Sequence, residues 1–273
     1  MKKFYKGLMV ALFACAVPAV FVGCGETPEP ETPPAPPAFE AVSYANFEEF
    51  LGETGVKTTL DGYKVERTIV EGGVELGKIT LTTNVLNGTR TAKSEINVNK
   101  DAKEAKGSDW VATVYYKNDG NAYVDRGNDN KYTVNLSKLT EDNQTEYYLA
   151  QTNMMDYMEK YKVADIRTSV SAALTNTAIS KQVNGNVVTF KMVTSVSKNL
   201  DDNGKQTTDT TYTLVFTDKK ISSYQIATSV VTVDKNQNST TETNTVTVSA
   251  YTENVVVPTE VDNWSLLPST QGN

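Results

Sequence analysis

Between residues 44 and 251 the apolar positions of this chain change period three times. Ser43 precedes Tyr44, Phe47, Phe50 and Leu51, spaced by three or four, which predicts a short helix over 44–51 closed by Gly52 and Gly55. Period two follows, predicting strands at 57–70, 78–86, 89–97, 110–117, 122–125 and 131–136. In the second of these Ile79, Leu81, Thr83 and Val85 share a face; in the fourth Trp110, Ala112, Val114 and Tyr116 do. Gly72-Gly73, Asn87-Gly88 and Asn118-Asp119-Gly120 supply turns between them. Helical spacing returns over 143–161, through Tyr147, Met154, Met158 and Tyr161, and over 163–174, through Val163, Ile166, Val170 and Leu174. The chain then returns to period two at 187–196, 210–216, 221–233 and 241–251, with Val188, Phe190, Met192 and Val196 on one face.

Strand runs interrupted by one or two inserted helices predict an α+β domain built on a strongly curved antiparallel sheet. Strands rich in Thr, Ser and Asn fit a sheet with one wet face. After residue 37 the only prolines are Pro258 and Pro268, so nothing breaks the span 39–273, which reads as one domain.

The N-terminus has a different character. Lys2, Lys3 and Lys6 precede an uncharged, mostly apolar run over 7–22 that contains Pro18, and Gly23-Cys24 closes it. That run is short for a spanning helix, and the proline would break one, so 1–23 reads as a signal peptide. Residues 24–38 hold six of the nine prolines together with Glu26, Glu29 and Glu31, a composition that favours an extended polyproline tether.

Phe21-Val22-Gly23-Cys24 resembles the bacterial lipobox. The resemblance implies a diacylglyceryl group on Cys24, cleavage after Gly23, and an outward-facing, lipid-anchored protein of the bacterial cell envelope. Cys15 competes as the anchor, but it would leave an apolar run of only 7–14 before it and apolar 16–22 on the mature chain. Two or three acyl chains anchor stably where one does not.

Composition narrows the chemistry. The 273 residues include no histidine, which removes Ser-His-Asp and Cys-His catalysis and the HExxH zinc site. Both cysteines lie in the first 24 residues, so the domain has no Cys-based metal site. The net charge is −7, and loss of Lys2, Lys3 and Lys6 takes it to −10, which argues against nucleic acid and against adhesion to anionic lipid through the protein surface. Turns at 125–130 and 201–204 carry carboxylates but lack the spacing and terminal Glu of a calcium loop. Glu48-Glu49 and Glu141-Asp142 sit at helix starts, where acidic groups suit the dipole. Tyr115-Tyr116, Tyr147-Tyr148 and Trp110 admit a sugar-stacking surface or ordinary packing. No nucleophile–base pair, metal set or cofactor motif is visible, and the chain reads as a non-enzyme.

The order of elements behind a lipobox is similar to the lipoprotein-carrier (LolA-like) architecture and to the mycobacterial glycolipid-carrying lipoproteins. That resemblance implies a half-barrel of eleven strands closing over mid-chain helices, with acyl chains on its concave face. Threonines such as Thr83, Thr194 and Thr228 occupy lining positions on that scheme. The ligand-lining candidates are Met154, Met155 and Met158 on the methionine helix, and Val188, Phe190 and Met192 opposite, with Ile79, Leu81 and Val85 facing the same side. Two readings follow: a carrier of an amphiphile, or a solid, adhesin-like binding module. They differ in whether the inner face is hollow.

Overall fold

A computed structural model describes residues 36–86, 88–102, 107–140, 142, 144–156, 158, 163–200 and 204–267, all within the second of two units, Pro36–Asn273. The segment 1–23 read above as a signal peptide, Cys15, Cys24 and the proline-rich residues up to Ala35 lie outside the described residues. So do Asn87, Glu141, Asn143, Tyr157, Tyr161 and the turn residues 201–203.

Twelve strands make one antiparallel sheet: β1 (Glu40–Ala41), β2 (Tyr63–Glu71), β3 (Val74–Leu86), β4 (Thr89–Val98), β5 (Trp110–Tyr116), β6 (Asn121–Asp125), β7 (Lys131–Asn135), β8 (Thr177–Asn184), β9 (Val187–Asn199), β10 (Lys205–Thr217), β11 (Lys220–Val233) and β12 (Ser239–Ala250). Their order across the sheet is β1-β8-β9-β10-β11-β12-β2-β3-β4-β5-β6-β7. Every connection between neighbours is a hairpin except two: β12 returns to lie beside β2, and β1 lies beside β8.

One row of residues runs in register through ten of these strands: Phe190, Leu214, Tyr224, Val248, Val65, Leu81, Ser94, Val114, Val124 and Tyr132. Each is 8% exposed or less. The adjacent row, displaced by one residue, reads Lys191, Thr213, Gln225, Thr247, Glu66, Thr80, Glu95 and Thr113, and it is polar throughout. A period of two thus separates a dry face from a wet one. Burying each large apolar side chain of the dry row contributes about 1.5–3 kcal/mol.

Three helical segments cover the dry face: α1 (Tyr44–Gly52), a single turn α2 (Gln144–Glu146) that runs into a π-helix (Tyr147–Met155), and α3 (Val163–Ala172). Ser43 caps α1 reciprocally: its Oγ accepts from Asn46 N, and Asn46 Oδ1 accepts from Ser43 N. Phe47 and Phe50 of α1 meet Phe190 at 5.2 and 5.1 Å between ring centres, and Phe50 meets Phe216 edge-on at 5.0 Å. The π-helix lies over β3–β6 and buries Leu149, Ala150, Asn153 and Met154. Ser94 Oγ donates to Asn153 O at 3.0 Å and ties the helix to the dry row.

The mid-chain helix differs from an α-period reading. A π-helix is rare and wider. Here Asn153 Nδ2 donates to Tyr148 O, five residues back, at 2.8 Å and supports the wide turn. Leu149 and Ala150 are therefore inside, while Tyr147 is half-exposed.

The outer face is dry in one place. Tyr123 and Thr133 are buried there because the C-terminal segment folds across β5–β7. Trp264 stands 6.4 Å from both Tyr115 and Tyr123. Thr133 N donates to Ser265 O and Leu267 N donates to Thr133 O, each at 2.9 Å, so the free edge of β7 is covered. The other edge, β8, is covered by residues 37–41: Ala41 and Glu40 pair with Ser180 and Lys181, and Gln182 Nε2 donates to Pro37 O at 2.5 Å.

Gly62, just before β2, has no room for a side chain. An added Cβ would stand 2.4 Å from Tyr251 O, while Tyr251 N donates to Gly62 O at 3.0 Å. Gly62→Ala must push β12 away from the start of β2. It is expected to lower stability by about 1–3 kcal/mol in denaturant unfolding, whereas Gly52→Ala, with open space around it, should not.

Candidate functional site

The dry face is solid at its centre and open at both ends of β2–β4. A cavity of about 480 Å³ lies at the end where β2 begins, lined by Thr58, Thr59, Leu60, Asp61, Tyr63, Val85, Arg90, Met158, Tyr224 and Val248. A second, of about 450 Å³, lies toward the other end of the same strands, with Arg67, Glu71, Ile79, Asp101, Tyr148 and Glu242 among its walls. Between them Val65, Leu81, Leu149 and Met154 are fully buried.

Strand register explains the first cavity. Val85 pairs with Arg90, one inward pair beyond Thr83 and Ala92, so both point to the dry face where the β3–β4 hairpin outruns the helices. Tyr63 opens β2 on the same face. Its hydroxyl donates to Met158 O at 2.6 Å, and Arg90 Nη1 donates to Tyr63 Oη at 3.5 Å. Tyr63 thereby links the sheet, Met158 of the methionine helix and the arginine. Among the described residues Arg90 forms no ion pair, although Asp61 lines the same space.

The second cavity has more acid. Arg67 faces inward between Val246 and Ile79, and its Nε donates to Asn244 Oδ1 at 3.0 Å. Glu71, Asp101 and Glu242 share its walls. The next inward row, Thr194, Thr210, Thr228 and Asn244, is polar, and it marks where the core ends along β9–β12. Thr83 and Thr194 are nonetheless buried. Their hydroxyls donate to the backbone, to Thr91 O at 3.0 Å and Thr210 O at 3.4 Å.

The lining candidates divide. Met158 borders the first cavity. Met154, Phe190 and Met192 are fully buried in the core, and Met155 and Val188 pack half-buried against it. Ile79 and Leu81 are buried on the same face, and Val85 is exposed at its rim. The aromatic groups are split by the sheet. Trp110 meets Tyr148 at 6.3 Å on the inner side, while Tyr115 turns outward to Trp264. No group of three carboxylate, histidine or cysteine side chains suited to a metal occurs among the described residues. At 125–130, Asp125 accepts from Gly127 N at 2.8 Å and pairs with Lys131 at 3.5 Å, as a hairpin turn does. Asn153 Oδ1 is buried and has no hydrogen-bond partner among the described residues.

The chain matches no family profile and no curated protein sequence.

Glu48 links two of the covering helices. Arg167 Nε on α3 donates to Glu48 Oε1 at 3.0 Å, and Arg167 Nη2 binds Glu48 Oε2. The Arg167 hydrogen bonds hold the Glu48 carboxyl below its ordinary 4.5. A lowered folded value means the pair stabilises above the unfolded value and fades as pH falls through the folded one. Glu48→Gln should therefore cost under about 1 kcal/mol at neutral pH. Its melting temperature should converge with that of the wild type in acid well below 4.5.

Proposed function

We propose that this protein is a lipid-anchored lipoprotein of the bacterial envelope whose domain is a half-barrel that binds or carries an amphiphile without catalysis. The observation that carries the reading is the 480 Å³ cavity between the dry face and Met158. Its size falls in the usual range for small-ligand sites, about 300–1,000 Å³. Its wall combines Leu60, Val85, Met158, Tyr224 and Val248 with a few polar groups, the lining an amphiphile needs. Among the described residues the α- and π-helical segments of a twelve-stranded antiparallel sheet lie on its dry face, which supports a half-barrel. Anchoring at Cys24 rests on the lipobox resemblance of 21–24, and the proline-rich tether would hold the domain clear of the bilayer.

A specific observation favours a second reading. Met154, Phe190 and Met192 are fully buried in one continuous cluster, as in a solid binding module. Met158→Ala separates the two. On the carrier reading the loss is well under the 2–5 kcal/mol of a methionine cut from a packed core, because one side of the residue borders open space. The amount of lipid extracted from the purified protein should also change. A full core-type loss with no lipid in either protein would favour the solid module.

Anchoring has its own test. Cys24→Ala should shift the protein from the membrane fraction to the soluble one, or stall it as precursor. Unchanged partitioning of Cys24→Ala, with release by Cys15→Ala, would refute it.

A further inference from the structure

We infer that Arg90 is the head-group anchor of the first cavity, and that the amphiphile it selects is a single-chain acid held through its carboxylate. The inference rests on the carrier reading and names the ligand class of that same site.

Four observations converge. Strand register turns Arg90 to the dry face, where it shares a wall with Met158, Tyr224 and Val248. A guanidinium keeps its charge at any physiological pH, and no carboxylate lies within ion-pair distance of it among the described residues. Among the described residues its one hydrogen bond goes to Tyr63 Oη, whose own hydrogen is committed to Met158 O at 2.6 Å. The phenol thus orients the guanidinium without neutralising it. The remaining N–H donors form a planar fork that matches a carboxylate.

The fourth observation is Asp61, which lines the cavity without pairing to Arg90. It balances the charge of the wall and penalises a second negative charge on the ligand. A monoanionic carboxylate fits this arrangement better than a dianionic phosphate. A cavity of 480 Å³ suits one chain rather than several. The opposite cavity carries the reverse bias, since three acidic residues, Glu71, Asp101 and Glu242, line it together with Arg67. With a net charge of −7 the chain does not attract anions from a distance, so selection must come from this local contact.

The test compares oleate with oleyl alcohol, which share a chain and differ in the head. Titration calorimetry on the full chain, stripped of bound lipid, gives both affinities. Wild type should bind oleate roughly tenfold or more tightly than the alcohol, as a charge-assisted hydrogen bond provides. Arg90→Gln should erase that preference while leaving the alcohol's affinity unchanged. Asp61→Asn should strengthen oleate binding and keeps the question answerable if Arg90→Gln does not fold. Equal binding of both probes by wild type and Arg90→Gln overturns the anchor and leaves the carrier reading intact. Binding of neither probe overturns both.

Discussion

The in-register dry row from Phe190 on β9 to Tyr132 on β7 is the constraint on which the rest of this fold depends. Ten strands present one continuous dry face, and three helical segments cover it. Phe47 and Phe50 cover the β9–β10 end, and Leu149 and Met154 cover β3–β6. A one-residue slip anywhere would turn the polar row of Thr213, Thr247, Glu66 and Thr80 inward, so the register is strongly specified. Edges are managed with equal economy. The short strand β1 closes one edge and the C-terminal segment around Trp264 closes the other.

The same constraint places the cavities. The described helical segments do not reach both ends of strands as long as β3, and the cavities lie at those ends. Tyr63 sits at that boundary. It belongs to the sheet, it is bonded to the last described turn of the methionine helix, and it holds Arg90 in place. Along β9–β12 the chain solves the same problem differently. There the inward positions become Thr194, Thr210, Thr228 and Asn244, and the core stops.

Much of the sheet is legible in the sequence because period two is strong where one face is wet. Ile79, Leu81, Thr83 and Val85 do share the inward face. β8 escapes that reading, since in its eight residues only Ile179 is buried, and β1 is too short to carry a pattern. β6 and β7 are dry on both faces because the segment around Trp264, 131 residues beyond Thr133, folds over them, which alternation does not report. The π-helix reads as an ordinary helix because its wide turn, supported in the fold by Asn153 bonding to Tyr148 O, leaves no separate apolar period in the sequence. The candidate site is the least legible part. The pair Asp61 and Tyr63, Arg90, Met158 and Tyr224 come from four separate places in the chain, and strand register together with the methionine helix brings them to one cavity. Met158 is reachable from the sequence as part of a methionine-rich helix, whereas an arginine in a Thr-rich strand carries no signal of its own.

Whether the inward face is hollow decides between the two readings of this domain. Native mass spectrometry of the full chain, before and after organic extraction, measures that directly. Extraction should remove a mass that corresponds to one single-chain amphiphile, bound one to one. Identical masses before and after, with no complex reformed on adding oleate, would contradict the account and leave the cavity an unused gap at the end of a solid core.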